Sequence, residues 1–152
     1  MSDLLDWSMS VVEGVQALEE GIFKVFDGVP RMIDEKAPLN LPGAWVSLIG
    51  GRLALQFGLI AEYATLEQLA LRFTGFDLVN EIDVTDAITE VANIVGGVAK
   101  RSMISHDPLL TSGLPIFLFG RLVVPSQVDQ ALIEVPSSAG NVYFATLVQK
   151  DA

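Results

Sequence analysis

The sequence predicts an α+β domain, helices packed on a mostly antiparallel sheet, and three observations carry that expectation. Helical and strand periodicities follow one another as helix, hairpin, helix, then helix and strands, so the connections are local. Gly50-Gly51 separates two alternating apolar segments, 45–49 and 52–62, as a two-residue hairpin turn does. Each half begins with a helix and runs on into antiparallel strands, the sign of an internal pseudo-repeat whose identity has diverged away. A chain of 152 residues suits one domain with a full core, here residues 1–152.

Taken in order, residues 8–27 read as an amphipathic helix, with Met9, Val12, Val15, Leu18, Ile22, Val25 and Phe26 near helical spacing and Gly28 after it. Residues 29–43, with Pro30, Pro38 and Pro42, read as a loop. The hairpin follows, with Leu53, Leu55 and Phe57 on one side of its second strand. Thr65-x2-Gln68 is a capping-box signature for the next helix and Gly75 its C-cap. A linker at 76–83 leads to a second amphipathic helix. Strands are expected at 115–124, 131–135 and 141–150, with a Ser-Ser-Ala-Gly turn before the last. Phe117 and Phe119 share one side of their strand, an arrangement that reads as core.

The second amphipathic helix carries the chemistry. At about 100° per residue, Asp86, Thr89, Glu90, Asn93, Gly96, Gly97, Lys100 and Arg101 fall within roughly 80° of Asn93. Val84, Ile88, Val91, Ala92, Val95, Val98, Ala99 and Met103 take the opposite side, the stripe that a core-facing helix needs. Each glycine costs a helix interior about 0.8–1 kcal/mol relative to Ala. Gly97, one turn beyond Asn93, leaves bare backbone where another molecule can come close. An Asn is no acid, base or nucleophile, but its amide accepts from a water and donates to an oxyanion at once. That is how Gln holds the attacking water in some GTPases. Glu90 can anchor a cation on a partner; as a general base it finds no support among its sequence neighbours. A Glu and an Asn three apart are also common on plain solvated helices.

The wider pattern Asp86-x3-Glu90-x2-Asn93-x21-Pro115 resembles the signature of the CheC/CheX/FliY family of response-regulator phosphatases. Val46-Ser-Leu-Ile-Gly-Gly-Arg-Leu-Ala-Leu-Gln-Phe57 looks like the family's hairpin, and Thr65-Leu-Glu-Gln-Leu-Ala-Leu-Arg-Phe-Thr-Gly75 like the helix after it. The resemblance spans roughly residues 10–149 and is nearest the CheX branch, which has one motif. It implies a CheC/CheX-like fold and a phosphatase acting on the aspartyl phosphate of a CheY-like receiver. Glu90 would match the residue that pairs with the receiver's Lys, and Asn93 the residue that positions the hydrolytic water. Asp86 opens the motif, Pro115 closes it, and Gly97 admits the partner. Catalysis would be positioning and electrostatics. No cofactor is expected in this chain, and the Mg²⁺ would belong to the receiver. Glu13-x2-Gln16 repeats the carboxylate and carboxamide of the motif, but Met9 stands where the acidic opener would be, so it reads as a solvated face.

Composition removes other classes. With no Cys and one His, His106, there is no thiol nucleophile, disulfide framework or multi-His metal site. His106, in Ser105-His-Asp-Pro108, reads as a turn residue with no nucleophile beside it. A net charge of −10 argues against nucleic acid. The acidic N-terminus lacks a secretory n-region, and Arg52 and Arg121 interrupt the longest apolar runs, so no membrane span and a cytoplasmic location are expected. Mean hydropathy is +0.47 with 51% apolar residues, an excess that calls for burial against a second chain. A homodimer follows, as the CheX resemblance also implies. The rival reading is a non-catalytic interaction module that binds a receiver or a flagellar-switch component. A blander one is an orphan dimeric α+β domain with a coincidental motif.

Overall fold

The computed structural model describes residues 2–20, 24–75 and 80–149. Its elements are α1 (Ser2–Glu19), β1 (Arg31–Ile33), β2 (Gly43–Ile49), β3 (Ala54–Ile60), α2 (Tyr63–Thr74), α3 (Glu81–Met103), β4 (Thr111–Ser112), β5 (Ile116–Leu118), β6 (Val128–Val135) and β7 (Val142–Gln149). The strands form one sheet in the order β1-β6-β7-β3-β2-β4, with β5 also on β2, and these pairings are antiparallel. The helices pack on this sheet, as the α+β expectation requires.

The pseudo-repeat is written in the pairings. Exchanging β1 with β5, β2 with β6 and β3 with β7 turns β1·β6 into β5·β2 and β2·β3 into β6·β7, and leaves β3·β7 unchanged. The hairpin registers overlay as well: Val46↔Phe57 falls on Ile133↔Phe144. All four residues are buried, and the two rings stack with centroids 5.7 Å apart at the centre of the sheet.

Two apolar layers flank the sheet. The main core lies under the helices, where Trp7, Phe26, Phe57, Leu66, Leu69, Ile88 and Phe144 are fully buried. Each such side chain contributes about 1.5–3 kcal/mol by leaving water. α1 and α3 run antiparallel here, with Asp6 beside His106 and Glu13 beside Ser102. At Gly14 an added Cβ would lie 2.7 Å from the Val95 carbonyl oxygen, so the close helix contact needs glycine. On the other face Trp45, Ile60, Leu132 and Ala145 are covered by Leu39, Leu41, Leu118 and Leu122. The two covering segments are joined by the Leu122 N–H donating to the Leu39 carbonyl at 3.0 Å.

Several expected boundaries move, each for a physical reason. α1 ends at Glu19, not 27; residues 21–23 lie outside the described residues, and Val25 and Phe26 are buried in a stretch without helix. Its buried stripe is Leu4, Trp7, Ser8, Val11 and Val15, while Met9 is exposed. Ser8 and Ser10 are buried because their hydroxyls donate to the Leu4 and Asp6 carbonyls, and these polar residues disguised the stripe. The 29–43 stretch holds the short strand β1, clamped by Arg31 on Glu134 at 2.6 Å. The β2–β3 connection is a four-residue loop, since Ile49 pairs with Ala54, and neither Gly50 nor Gly51 has positive φ. No capping box forms on α2: it starts at Tyr63, and the buried Thr65 donates instead to the Ala139 carbonyl at 2.9 Å. Gly75 does cap α2, at φ 76°. Of the 76–83 linker, 76–79 lie outside the described residues and α3 already begins at Glu81. The expected 115–124 strand shrinks to β5, because the chain leaves the sheet after Leu118 and Leu122 packs on the second face. Phe117 therefore packs on the core whereas Phe119, past the strand end, is half exposed. β6 begins three residues earlier than expected, while β7 and the turn before it fall where predicted.

Candidate functional site

α3 is built to hold one face to solvent. Asn80 caps it, its side chain accepting from the Asp83 N–H at 3.0 Å. Glu81 and Asp83 occupy the first turn and Lys100 and Arg101 the last, the charge order a helix dipole favours. Val84, Ile88, Val91, Ala92, Val95, Ala99 and Met103 are buried as the periodicity predicts, with Ala87 and Gly96 added and Val98 only half-buried. Asp86 and Glu90 are exposed, and Asn93 and Gly97 are half-buried. Gly96 departs from the expectation. It turns inward, and an added Cβ would meet the Phe57 ring at 3.4 Å. The two glycines therefore divide: Gly96 seats the helix on the sheet, and Gly97 keeps the outer face open.

Sequence-distant residues meet at Asn93. A groove of about 210 Å³ is lined by Asn93, Gly96, Gly97, Val46, Leu48, Ser112, Gly113 and Pro115. Pro115 thus stands at the same groove as Asn93 despite its separation in the chain. The strap that carries it is fixed to the edge of β2: Leu48 pairs with Ser112, Gly113 N–H donates to Ser47 at 2.8 Å, and Trp45 pairs with Ile116. Glu90 lies one turn before Asn93 and Asp86 one turn before that, roughly 4.5 and 10 Å along the axis from Asn93 at 1.5 Å per residue. Neither lines the groove. The arrangement is a strip: carboxylates on an open helix surface, then a carboxamide at the mouth of a shallow groove, then bare backbone. Such a strip can orient a water or a partner's oxyanion at Asn93 while Glu90 holds a cation.

The other sequence candidates are placed less favourably. On α1, Glu13 and Gln16 are exposed, but Glu13 accepts from Ser102 at 3.0 Å and so is engaged by α3. His106 is exposed in the turn after α3, its Nε2 3.6 Å from an Asp6 carboxylate oxygen. Among the described residues no group of three or more His, Asp or Glu gathers as a metal site, and no helix is long and apolar enough to cross a membrane.

Sequence reasoning missed Asp107. Its buried carboxylate accepts from the backbone N–H groups of Gly51, Arg52 and Leu53 at 2.9, 2.9 and 2.8 Å, replacing the two-residue turn expected there. Those donors, Leu53 and Arg52 foremost, hold its pKa down to about 2. Asp107 thereby ties the exit of α3 to the tip of the β2–β3 hairpin, whose first strand floors the groove. An acid before a proline reads as an ordinary turn former, so no local signal marks it.

Neither a protein-family profile nor a curated protein matches the chain. Solved structures match it at the level of fold. A CheC-like superfamily protein from Shewanella sp. PV-4 superposes with a TM-score of 0.75 at 15% identity, over 95% of this chain and 97% of that one. CheX from Borrelia burgdorferi, solved in a CheX–CheY–BeF3–Mg complex, gives 0.75 at 10% identity, over 95% and 98%. The FliM middle domain of Vibrio alginolyticus gives 0.65 at 11% identity, over 96% and 92%. Each shared fold covers nearly the whole of both chains.

Proposed function

We propose, from a chain with the fold of CheC-like and CheX proteins, that its function is to hydrolyse the aspartyl phosphate of a CheY-like receiver. The observation that carries the reading is Asn93 at the mouth of the groove shared with Gly97 and Pro115, on a helix face that also presents Glu90. The receiver docks against α3. Glu90 engages the receiver's cationic Lys, and Asn93 enters its phosphorylation pocket, orienting water for in-line attack on phosphorus. Water supplies the new P–O bond, the acyl phosphate P–O bond breaks, and the Asp carboxylate leaves. The Mg²⁺ that offsets the phosphoryl charge is the receiver's. Asp86 and Gly97 shape the docking face. The solved CheX–CheY complex supports a receiver as the kind of partner that this fold accepts. We place the activity in the cytoplasm, where such receivers work.

The chain also forms a homodimer in this reading. The exposed Ile49, Ile116 and Val123 line one groove of about 440 Å³ with Leu122 and Pro125, and this apolar surface would be the face that pairs.

A purified receiver from the same genome, loaded by a small phosphodonor with Mg²⁺, tests the activity. Loss of its aspartyl phosphate should speed up with this protein, and Asn93→Ala should remove about 10²-fold or more of that acceleration, the scale of losing a positioned group, while the fold stays intact. Glu90→Ala should chiefly weaken binding. Wild-type rates from both variants would sink the site assignment. The second reading, an interaction module, draws on the fold shared with the FliM middle domain. Binding without acceleration for every cognate receiver would establish it instead.

A further inference from the structure

The solvent face of α3 is sorted by charge. Glu81, Asp83, Asp86 and Glu90 belong to its first half, Lys100 and Arg101 to its last turn, and Asn93 and Gly97 lie between. Arg101 does more than end the helix. A Cβ added at Gly97 would meet its Nη1 at 3.8 Å, so the guanidinium folds back along the axis over the bare backbone. Gly97 is about one turn from Asn93, so the cation lies on the same helix face as the proposed water-positioning site, about one turn beyond it. Arg31, Arg52 and Arg72 each have a carboxylate partner at Glu134, Asp3 and Asp27. Arg101 is exposed, and its side chain makes no ion pair or hydrogen bond to any described residue. In a chain of net charge −10, an unengaged guanidinium at Gly97 gives this end of the strip the opposite sign to the Glu90 end.

We propose that Arg101 recognises anionic oxygens of the phosphorylated receiver's active-site pocket, and with Glu90 fixes the direction in which the receiver lies along α3. This rests on the phosphatase reading. The receiver's cation meets Glu90, and its anionic rim, phosphoryl or carboxylate, meets Arg101. A receiver laid the other way would bring like charges together at both ends, which disfavours the unproductive pose. Arg101 is a docking and positioning residue; it takes no part in bond making.

The experiment compares wild type with Arg101→Glu, Arg101→Gln and Arg101→Lys, using a CheY-like receiver with and without beryllofluoride in Mg²⁺. Dissociation constants are measured by titration, then KM and kcat, with thermal unfolding as a control on the helix end. Arg101→Glu should raise the Kd and KM at least about tenfold with kcat within about twofold. Arg101→Lys should restore most of the affinity, and Arg101→Gln should bind with a weaker salt dependence than wild type. A defect confined to the beryllofluoride form assigns the contact to the phosphoryl group; an equal defect without it assigns the contact to receiver carboxylates. Unchanged Kd in Arg101→Glu overturns the inference. Binding by wild type without dephosphorylation overturns the phosphatase reading instead, and the Arg101→Glu affinity still decides the inference alone.

Discussion

Replacing Gly97 by Ala sets stability against function in one atom. The glycine lies in the interior of α3, where it costs the helix about 0.8–1 kcal/mol relative to Ala. Its φ is not positive, so Ala suits the backbone. The added Cβ meets Arg101 Nη1 alone, at 3.8 Å, an ordinary van der Waals distance. Nothing in the packing offsets the propensity gain, and the variant should be more stable by nearly that full amount. For a 152-residue domain this raises Tm by about 2–4 °C. If the bare backbone exists to let the receiver approach Asn93, the same methyl should raise KM while the fold improves. Thermal unfolding by circular dichroism reads the first effect, and receiver dephosphorylation under steady-state conditions the second. A lower Tm would refute the account of the open space. A higher Tm with unchanged KM would refute the functional reason for the glycine. Gly96→Ala makes the contrast: its Cβ meets the Phe57 ring at 3.4 Å, the near limit of ordinary contact, so its gain in stability should be smaller than that at Gly97.

Asp107→Asn should lower Tm at neutral pH, because an amide accepts fewer of the three N–H bonds at the hairpin tip. The pKa of Asp107 lies below the ordinary carboxylate value, so its contribution is present above about pH 4 and fades as pH falls toward 2. The Tm gap between wild type and variant should therefore close over that acid range; a gap independent of pH would contradict the charge-based account. In solution the chain should scatter light as a dimer of the 16.4 kDa subunit. Val123→Glu, in the apolar groove where Val123 is 82% exposed, should convert it to monomer. A monomeric wild type would remove the dimer.

The motif helix was legible because its two determinants are local: an apolar stripe at helical spacing, and a polar face that the stripe leaves outside. Gly75 was legible too, since a left-handed C-cap admits few other residues. The groove was only half legible. Asn93 and Pro115 could be paired through resemblance, but Val46 and Leu48 of its floor look like any strand residues until the sheet brings them under α3. The errors share a cause: tertiary partners replaced local ones. Asp107 stands in for a glycine turn, Ala139 takes the Thr65 hydroxyl from a capping box, and buried serines bonded to their own helix hid the stripe of α1. Val25 and Phe26 repeat at helical spacing because both enter the core, not because the chain there is helical.

The exchange of hairpins described for the sheet also bears on valency. The frame presents two antiparallel helices in equivalent positions, and either could carry a docking face. In this chain they have parted ways: α3 keeps Glu90 and Asn93 turned outward, while on α1 Met9 holds the position of an acid and Glu13 is hydrogen-bonded by Ser102. On the proposed function each chain would thus be monovalent, one receiver to one subunit, and any bivalence toward clustered receivers would have to come from pairing two chains.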